Sequence, residues 1–385
     1  MPLFENSLTS KLPRVGTSIF TEMSQMANQY KAINLSQGFP DFDVDDELIK
    51  LVKKYLDKGI HQYAPMQGAI QLREAISKKI SSQYGNHYHP ESEITITAGA
   101  TQAIFTAISA FVKEEDEVII FTPAYDCYEP TVDLNGGRSV FVQLKSPDFK
   151  INWEEVKKLI SQKTKMIIIN SPHNPTGQIL DEKDLKELEK ITNDSEIIIL
   201  SDEVYEHIIF DKKQHQSICK YPKLSNRSFA VFSFGKTFHV TGWKMGYCIG
   251  PKNLMNEFRK VHQFNVFSCN HPLQLALAEY LEIEEHYLRL GDFYQEKRDY
   301  FNDIIQSSSF TIIPSSGTYF QLLNFSNISE DSDLEMCKKL IREHKIASIP
   351  ISVFYNSTLD EKNLRFCFAK KKETLDAAGE ILIKI

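Results

Sequence analysis

At 385 residues the chain is too long for one typical compact core and suits a large unit with a smaller one. Hydrophobic residues make up 42% and charged residues 25%, which excludes disorder as the main state. The net charge of -7 gives no electrostatic reason to expect a nucleic-acid partner, although a small anionic ligand needs only a few local cations.

The chain opens Met1-Pro2-Leu3-Phe4-Glu5 and soon turns polar, without the basic start and apolar run of a signal peptide. No stretch reaches the length of a membrane span. The six cysteines, Cys127, Cys219, Cys248, Cys269, Cys337 and Cys367, contain no close pair. Scattered thiols predict free, buried cysteines in a reducing compartment, so a cytoplasmic location is expected.

Short runs rich in β-branched residues follow in order. Glu93–Ile96 reads as a short strand before a helix-like run, Ala103–Phe111. Glu117–Phe121, Lys165–Asn170, Glu196–Ser201 and Ala230–Phe232 are apolar on both faces, as strands of a covered parallel sheet must be. Between them, Asp181–Thr192 carries Leu185, Leu188 and Ile191 at helical spacing behind a capping Asp181. The alternation predicts a three-layer α/β domain with a mostly parallel central sheet over 46–280. The segments 1–45 and 281–385 read as an N-terminal arm and a smaller α+β domain. In it, Tyr280–Ser307 is expected as one long helix, and Thr318–Leu323 and Leu364–Phe368 as strands.

Ligands of open parallel sheets bind outside the carboxyl ends of the strands. The runs end in Thr122-Pro123-Ala124-Tyr125, Ser171-Pro172-His173-Asn174-Pro175-Thr176-Gly177 and Asp202-Glu203-Val204-Tyr205, so polar and aromatic loops converge there. After Ala230–Phe232 comes Ser233-Phe234-Gly235-Lys236, then Gly242-Trp243-Lys244-Met245-Gly246. A lone lysine in such a loop is ordinarily solvated. Here a hydroxyl and a second cation flank it, as a phosphate dianion requires, and glycines let backbone approach a ligand.

This lysine segment resembles the signature of the fold-type I (class I/II) aminotransferases, which depend on pyridoxal 5'-phosphate. The resemblance runs from about Leu12 to Lys384 and implies that Lys236 holds the cofactor as a Schiff base. It implies that Asp202 pairs with the ring nitrogen and Tyr205 donates to the phenolic oxygen. Asn174 is implied to donate to the same oxygen across a cis Asn174–Pro175 bond and to lie near the substrate carboxylate. Ala100, Thr101 and Gln102 match the phosphate cup, with Ser233 and Lys244 as further phosphate donors, and Tyr125 the ring that covers the cofactor. Arg365, in Leu364-Arg365-Phe366-Cys367-Phe368, matches the clamp for the substrate α-carboxylate, which Gly38 approaches through its backbone. Tyr63 matches the tyrosine that reaches the phosphate of a neighbouring subunit, which implies a homodimer with shared sites.

Ser36-Gln37-Gly38-Phe39-Pro40-Asp41-Phe42, Gln62-Tyr63-Ala64-Pro65-Met66 and Asp126-Cys127-Tyr128-Glu129-Pro130 are most similar to the bacterial methionine aminotransferases and their kynurenine–oxoglutarate relatives. Lys244 stands where the wider class has arginine and agrees with that subgroup. No motif supplies a second arginine for a distal carboxylate. Ile19, Phe20, Phe267, Phe354 and Tyr355 are candidates for an apolar side-chain pocket, or alternatively core. The expected activity is ping-pong transfer of the amino group of an uncharged sulfur-containing or aromatic amino acid, methionine favoured, to a 2-oxo acid. β-Elimination on the same cofactor would use the same residues. A cofactor-sensing regulator is disfavoured because no basic DNA-binding segment is present.

Overall fold

Neighbouring residues of the apolar runs go to opposite faces of one sheet in the computed structural model, which describes residues 8–385; the opening Met1–Glu5 lies outside the described residues. Ile119, Ile167, Ile199 and Ala230 enter one hydrophobic cluster, and Ile120, Ile168, Leu200 and Val231 the other. Burial on both faces is why these runs show no polar alternation. Each fully buried isoleucine contributes about 1.5–3 kcal/mol.

The sheet has seven strands: β1 (Ile94–Thr97), β2 (Glu117–Thr122), β3 (Arg138–Gln143), β4 (Thr164–Asn170), β5 (Ile198–Asp202), β6 (Ser228–Ser233) and β7 (Gly246–Ile249). Their spatial order is β1-β7-β6-β5-β4-β2-β3. β7 runs antiparallel to β6 and β1, and the remaining pairs are parallel. The helix Ala100–Phe111 covers one face through Ala103, Ile104, Ala107 and Ile108. Helices Ile70–Tyr84 and His271–Leu281 contribute Leu72, Ile76, Ile80 and Leu277 to the other, which gives three layers. The helix Glu182–Thr192 begins with a full capping box between Asp181 and Asp184. Gly246 opens β7 in a tight gap, where a Cβ would lie 2.6 Å from the Phe232 carbonyl oxygen and 3.0 Å from the Gly99 backbone.

A smaller antiparallel sheet is formed by β8 (Thr311–Ile313), β9 (Phe320–Asn324), β10 (Ile349–Pro350) and β11 (Asn363–Cys367), in the order β10-β11-β9-β8. A short parallel pair, Ile33–Asn34 with Ile346–Ala347, ties the segment before the large sheet to this unit. The smaller strand begins later than its sequence suggests because Thr318 is left-handed, with φ 67°, and cannot extend.

The single helix expected over Tyr280–Ser307 is instead three pieces, ending at Leu281, then Glu285–Leu288 and Leu290–Ile305. His286 folds back so that its ring stacks on Tyr280 at 3.8 Å and its Nδ1 lies 2.9 Å from the Tyr280 carbonyl. That contact occupies a carbonyl that a continuing helix would use. All six cysteines are free, and all but the partly buried Cys127 are buried. Among the described residues no helix is long and apolar enough to cross a membrane.

Candidate active site

The ends of β4, β5 and β6 and the start of the helix Ala100–Phe111 border one cavity. Lys236, Asp202, Tyr205, Asn174, Tyr125, Ser233, Lys244, Ala100 and Thr101 all line it. The sequence separates these residues by up to 144 positions; the sheet brings them to one edge.

Lys236 sits in the short helix Phe234–Thr237, whose first turn is fixed by Ser233 Oγ accepting from the Lys236 amide at 3.3 Å. Its Nζ donates to the Gly38 carbonyl at 3.1 Å and to Tyr319 Oη at 2.9 Å, and lies 5.5 Å from the Tyr205 ring centre. Burial pulls its pKa down to about 8, and the cations Arg365 and Lys244 push the same way. A neutral amine is thereby within reach near neutral pH.

Asp202 closes β5 at 3% exposure. Its Oδ2 accepts from Tyr128 Oη at 2.6 Å. Burial pushes its pKa up to about 6, against the Tyr128 hydrogen bond. Among the described residues no lysine, arginine or histidine pairs with it within ion-pair distance. A buried carboxylate without a counter-ion at the wall of a cavity suits a ligand that brings a cationic nitrogen. The next residues form a turn, not a helix, so Asp202 is not a helix cap.

At the opposite corner, the helix Ala100–Phe111 has no side-chain cap, which leaves its first amides open. Gly99 before it has φ 78°, and a Cβ there would meet Lys244 Nζ at 3.5 Å. Thr101 Oγ1 and Tyr125 Oη stand 3.5 Å apart beside them. Open amides, a cation and hydroxyls together form a cradle for a phosphate group.

Arg365 lies in β11 at 1% exposure, with Nη1 donating to Asn174 Oδ1 at 2.7 Å and Nη2 to the Ser36 carbonyl at 3.2 Å. Its guanidinium lies 3.9 Å from the Phe320 ring centre, 5.3 Å from Phe20 and 5.8 Å from Phe354. Its Nε is buried without a partner, and among the described residues it has no salt bridge. A desolvated cation with a spare donor is a receptor for a carboxylate. Asn174 is held in turn by its amide on Asn170 Oδ1 at 2.8 Å, and the Asn174–Pro175 bond is cis as expected.

The side chains of Gln102, Phe267 and Tyr355 lie outside the cavity. The Gln102 side chain turns back to the Ala98 amide and to Thr106, so it fixes the loop instead of facing the cavity. Phe267 is at the surface, where its ring meets exposed Tyr63 edge-on at 5.3 Å; it lines no part of the cavity. Tyr355 is core, its Oη bonded to Glu361 at 3.0 Å. Ile19 and Phe20 begin the helix Ile19–Tyr30, and Phe20 packs towards Phe354 at 5.8 Å. Sequence reasoning missed Tyr128, Tyr319, Phe320 and Asn170, whose Nδ2 donates to the Asp202 carbonyl at 2.9 Å. Only their nearness to singled-out motifs pointed to them.

A buried acid, a buried amine and a phosphate cradle at the edge of a mostly parallel seven-stranded sheet define a pyridoxal-phosphate enzyme of fold type I. The sequence model for "Aminotransferase class I and II" matches residues 30–382, and the chain belongs to that family. It is 48% identical over 374 residues to the methionine aminotransferase of Escherichia coli, covering 97% of each chain. A solved Escherichia coli structure described as having a methionine aminotransferase function superposes with a TM-score of 0.97 at 47% identity over 100% of both chains. The kynurenine–oxoglutarate transaminase of Dictyostelium discoideum is 34% identical over 96% of this chain and 94% of its own. The protein is a pyridoxal-phosphate-dependent aminotransferase, and its substrates are amino acids and 2-oxo acids.

Proposed function

We propose that this aminotransferase takes an uncharged L-amino acid, sulfur-containing or aromatic and methionine foremost, as amino donor to a 2-oxo acid. The observation that carries this is the surround of Arg365, which meets the cavity wall through Asn174: Phe20, Phe320 and Phe354 lie around its guanidinium, and the lining of the cavity itself contains no arginine. One carboxylate is provided for, and a second would enter an apolar wall.

Pyridoxal phosphate supplies an electron sink that makes the donor's α-proton acidic. In our reading Lys236 would hold the cofactor covalently, and its Nζ as a free amine would be the base that carries the donor's α-proton. Its hydrogen bonds to Gly38 and Tyr319 aim that nitrogen. Asp202 would hold the ring nitrogen protonated, with Tyr128 orienting the acid. Tyr205 and Asn174 would hold the phenolic oxygen. The open backbone amides at Ala100, Thr101 and Gln102, with Ser233 and Lys244, would hold the phosphate, and Tyr125 would cover the ring. Arg365 and Gly38 would bind the donor carboxylate.

We further propose a homodimer in which Tyr63, 80% exposed in its own subunit, completes the neighbouring site with Phe267 beside it. We assign 46–280 to the cofactor-binding domain, and 1–45 with 281–385 to the arm and small domain. The free cysteines favour the cytoplasm. A panel of donors, followed by the loss of the bound aldehyde's absorption, tests the substrate assignment: methionine and aromatic donors should convert it fastest. Tenfold better turnover of aspartate than of methionine would contradict the reading.

A further inference from the structure

The turn that carries Asp202 and Tyr205 to the cavity has a second face. Glu203 and Glu206, one step further along in each case, are 1% and 6% exposed and reach other partners. Glu206 accepts from Lys79 Nζ at 2.6 Å and from Tyr84 Oη at 2.5 Å, with Tyr247 Oη at 3.4 Å. Lys79 is 3% exposed and also donates to Tyr247 at 3.2 Å. Glu203 accepts from Ser201 Oγ at 2.7 Å and the Ile218 amide at 2.9 Å, and His215 Nε2 lies 2.8 Å from its other oxygen. Lys79 and Tyr84 belong to the helix Ile70–Tyr84, and Tyr247 to β7. The turn is closed internally by the Glu206 amide on the Glu203 carbonyl at 2.9 Å.

A buried ion pair is a weak source of stability, because desolvating both charges offsets their attraction; packed apolar side chains of the same volume often do as well. What such a pair does enforce is register, since either charge displaced from its partner is left unpaired in a dry site. Burial alone would push Glu206 up, but Lys79 and His207 hold its carboxyl well below the usual range. Burial together with the charge of Glu206 pushes Tyr84 well up, so its phenol stays a donor. Burial pushes the His207 imidazole below its usual range, against the pull of Glu206. The charged form of the Glu206 carboxyl is therefore the favoured one beside Lys79.

We propose that Lys79 and Glu206 are positioning residues for the reaction: their buried pair, with Tyr84, locks the turn 202–206 onto the helix Ile70–Tyr84 so that Asp202 and Tyr205 present one fixed geometry to the cofactor. This rests on the reading that Asp202 and Tyr205 face the cofactor.

The test is the double variant Lys79→Met/Glu206→Leu, which removes both charges at similar volume, with Tyr84→Phe as a milder second variant and Asp202→Asn as a reference. Three quantities are read on purified protein: the dissociation constant of pyridoxal phosphate from the cofactor-free form, the absorption spectrum of the bound cofactor across pH, and kcat and KM separately. The double variant should weaken cofactor binding and lower kcat by about tenfold each, move the absorption titration towards that of Asp202→Asn, and leave donor KM within about twofold. Tyr84→Phe should shift all three in the same direction by about two- to threefold. A folded double variant with wild-type affinity, spectrum and kcat overturns the proposal while Asp202→Asn still perturbs them. If the double variant does not fold, a wild-type spectrum and affinity in Tyr84→Phe overturns it instead. An Asp202→Asn protein indistinguishable from wild type removes the premise itself and ends both readings.

Discussion

Replacing Arg365 by methionine should separate the cost of this residue from its use. In the free protein the guanidinium is a buried charge with no salt bridge among the described residues, and its Nε donor is unsatisfied. An unmet buried donor costs about 1–3 kcal/mol. Against that stand two hydrogen bonds to neutral acceptors, Asn174 Oδ1 and the Ser36 carbonyl, worth about 0.5–1.5 kcal/mol each. The stacking on Phe320 at 3.9 Å is retained in part by a methionine thioether. These contributions nearly cancel, so the melting temperature of Arg365→Met should stay within a few degrees of wild type. Function should respond differently. A donor carboxylate that enters the dry site without its cation loses about 3–5 kcal/mol, which is roughly a hundredfold to several thousandfold in kcat/KM. The assay is steady-state kinetics with methionine, beside thermal melting of the cofactor-free protein. A fall in kcat/KM below about tenfold refutes the assignment of the carboxylate to Arg365, and a large loss of stability refutes the cancellation.

Three other outcomes are expected. Lys236→Ala should lose turnover and the absorption of covalently held cofactor, while still binding the phosphate-bearing ligand measurably by fluorescence. Asp202 has a folded pKa of about 6 against an ordinary 3.8; the fold therefore binds more protons than the unfolded chain between those values. The resulting stabilisation is complete below about pH 4 and is lost as pH rises through about 6, on the order of 3 kcal/mol in all. Melting of cofactor-free wild type compared with Asp202→Asn from pH 4 to 7 checks it, and parallel curves would remove Asp202 as the cause. Mixing Lys236→Ala subunits with Tyr63→Ala subunits should restore activity above the sum of the two parents, because one site of each mixed dimer then carries neither change. No gain on mixing means the sites are not shared.

Five of the seven strands of the large sheet, and the residues at their ends, were legible because each is a local pattern: an apolar run, followed in three cases within a few positions by Lys236, Asp202 or Asn174; β3 and β7 were not singled out. The capping Asp181 was legible for the same reason. What escaped depends on contacts between distant segments. Tyr128 reaches Asp202 across 74 positions and Tyr319 reaches Lys236 across 83, and nothing local marks either as other than an ordinary aromatic. The pairing of Phe267 with Tyr63 was not legible, because an exposed ring and a pocket ring look alike in sequence and the two lie 204 positions apart. The break near Tyr280 was invisible because the helical spacing continues through it, while His286 closes back on a carbonyl. Gln102 carries a suitable side chain at a suitable place, yet its amide is consumed by Ala98 and Thr106.

Strand order has a consequence for what the protein can hold. Lys236 follows β6 and the open amides follow β1, and the single reversed strand β7 stands between them. Two interstrand spacings, roughly 10 Å, therefore separate the two anchor points, and Gly246 fills the gap so tightly that no side chain fits. On the proposed assignment of Lys236 and these amides, the span would set the length of coenzyme that fits between them. Altered substrate preference can arise in the helix Ile19–Tyr30 and the small sheet, whereas a longer or shorter coenzyme would demand a different sheet.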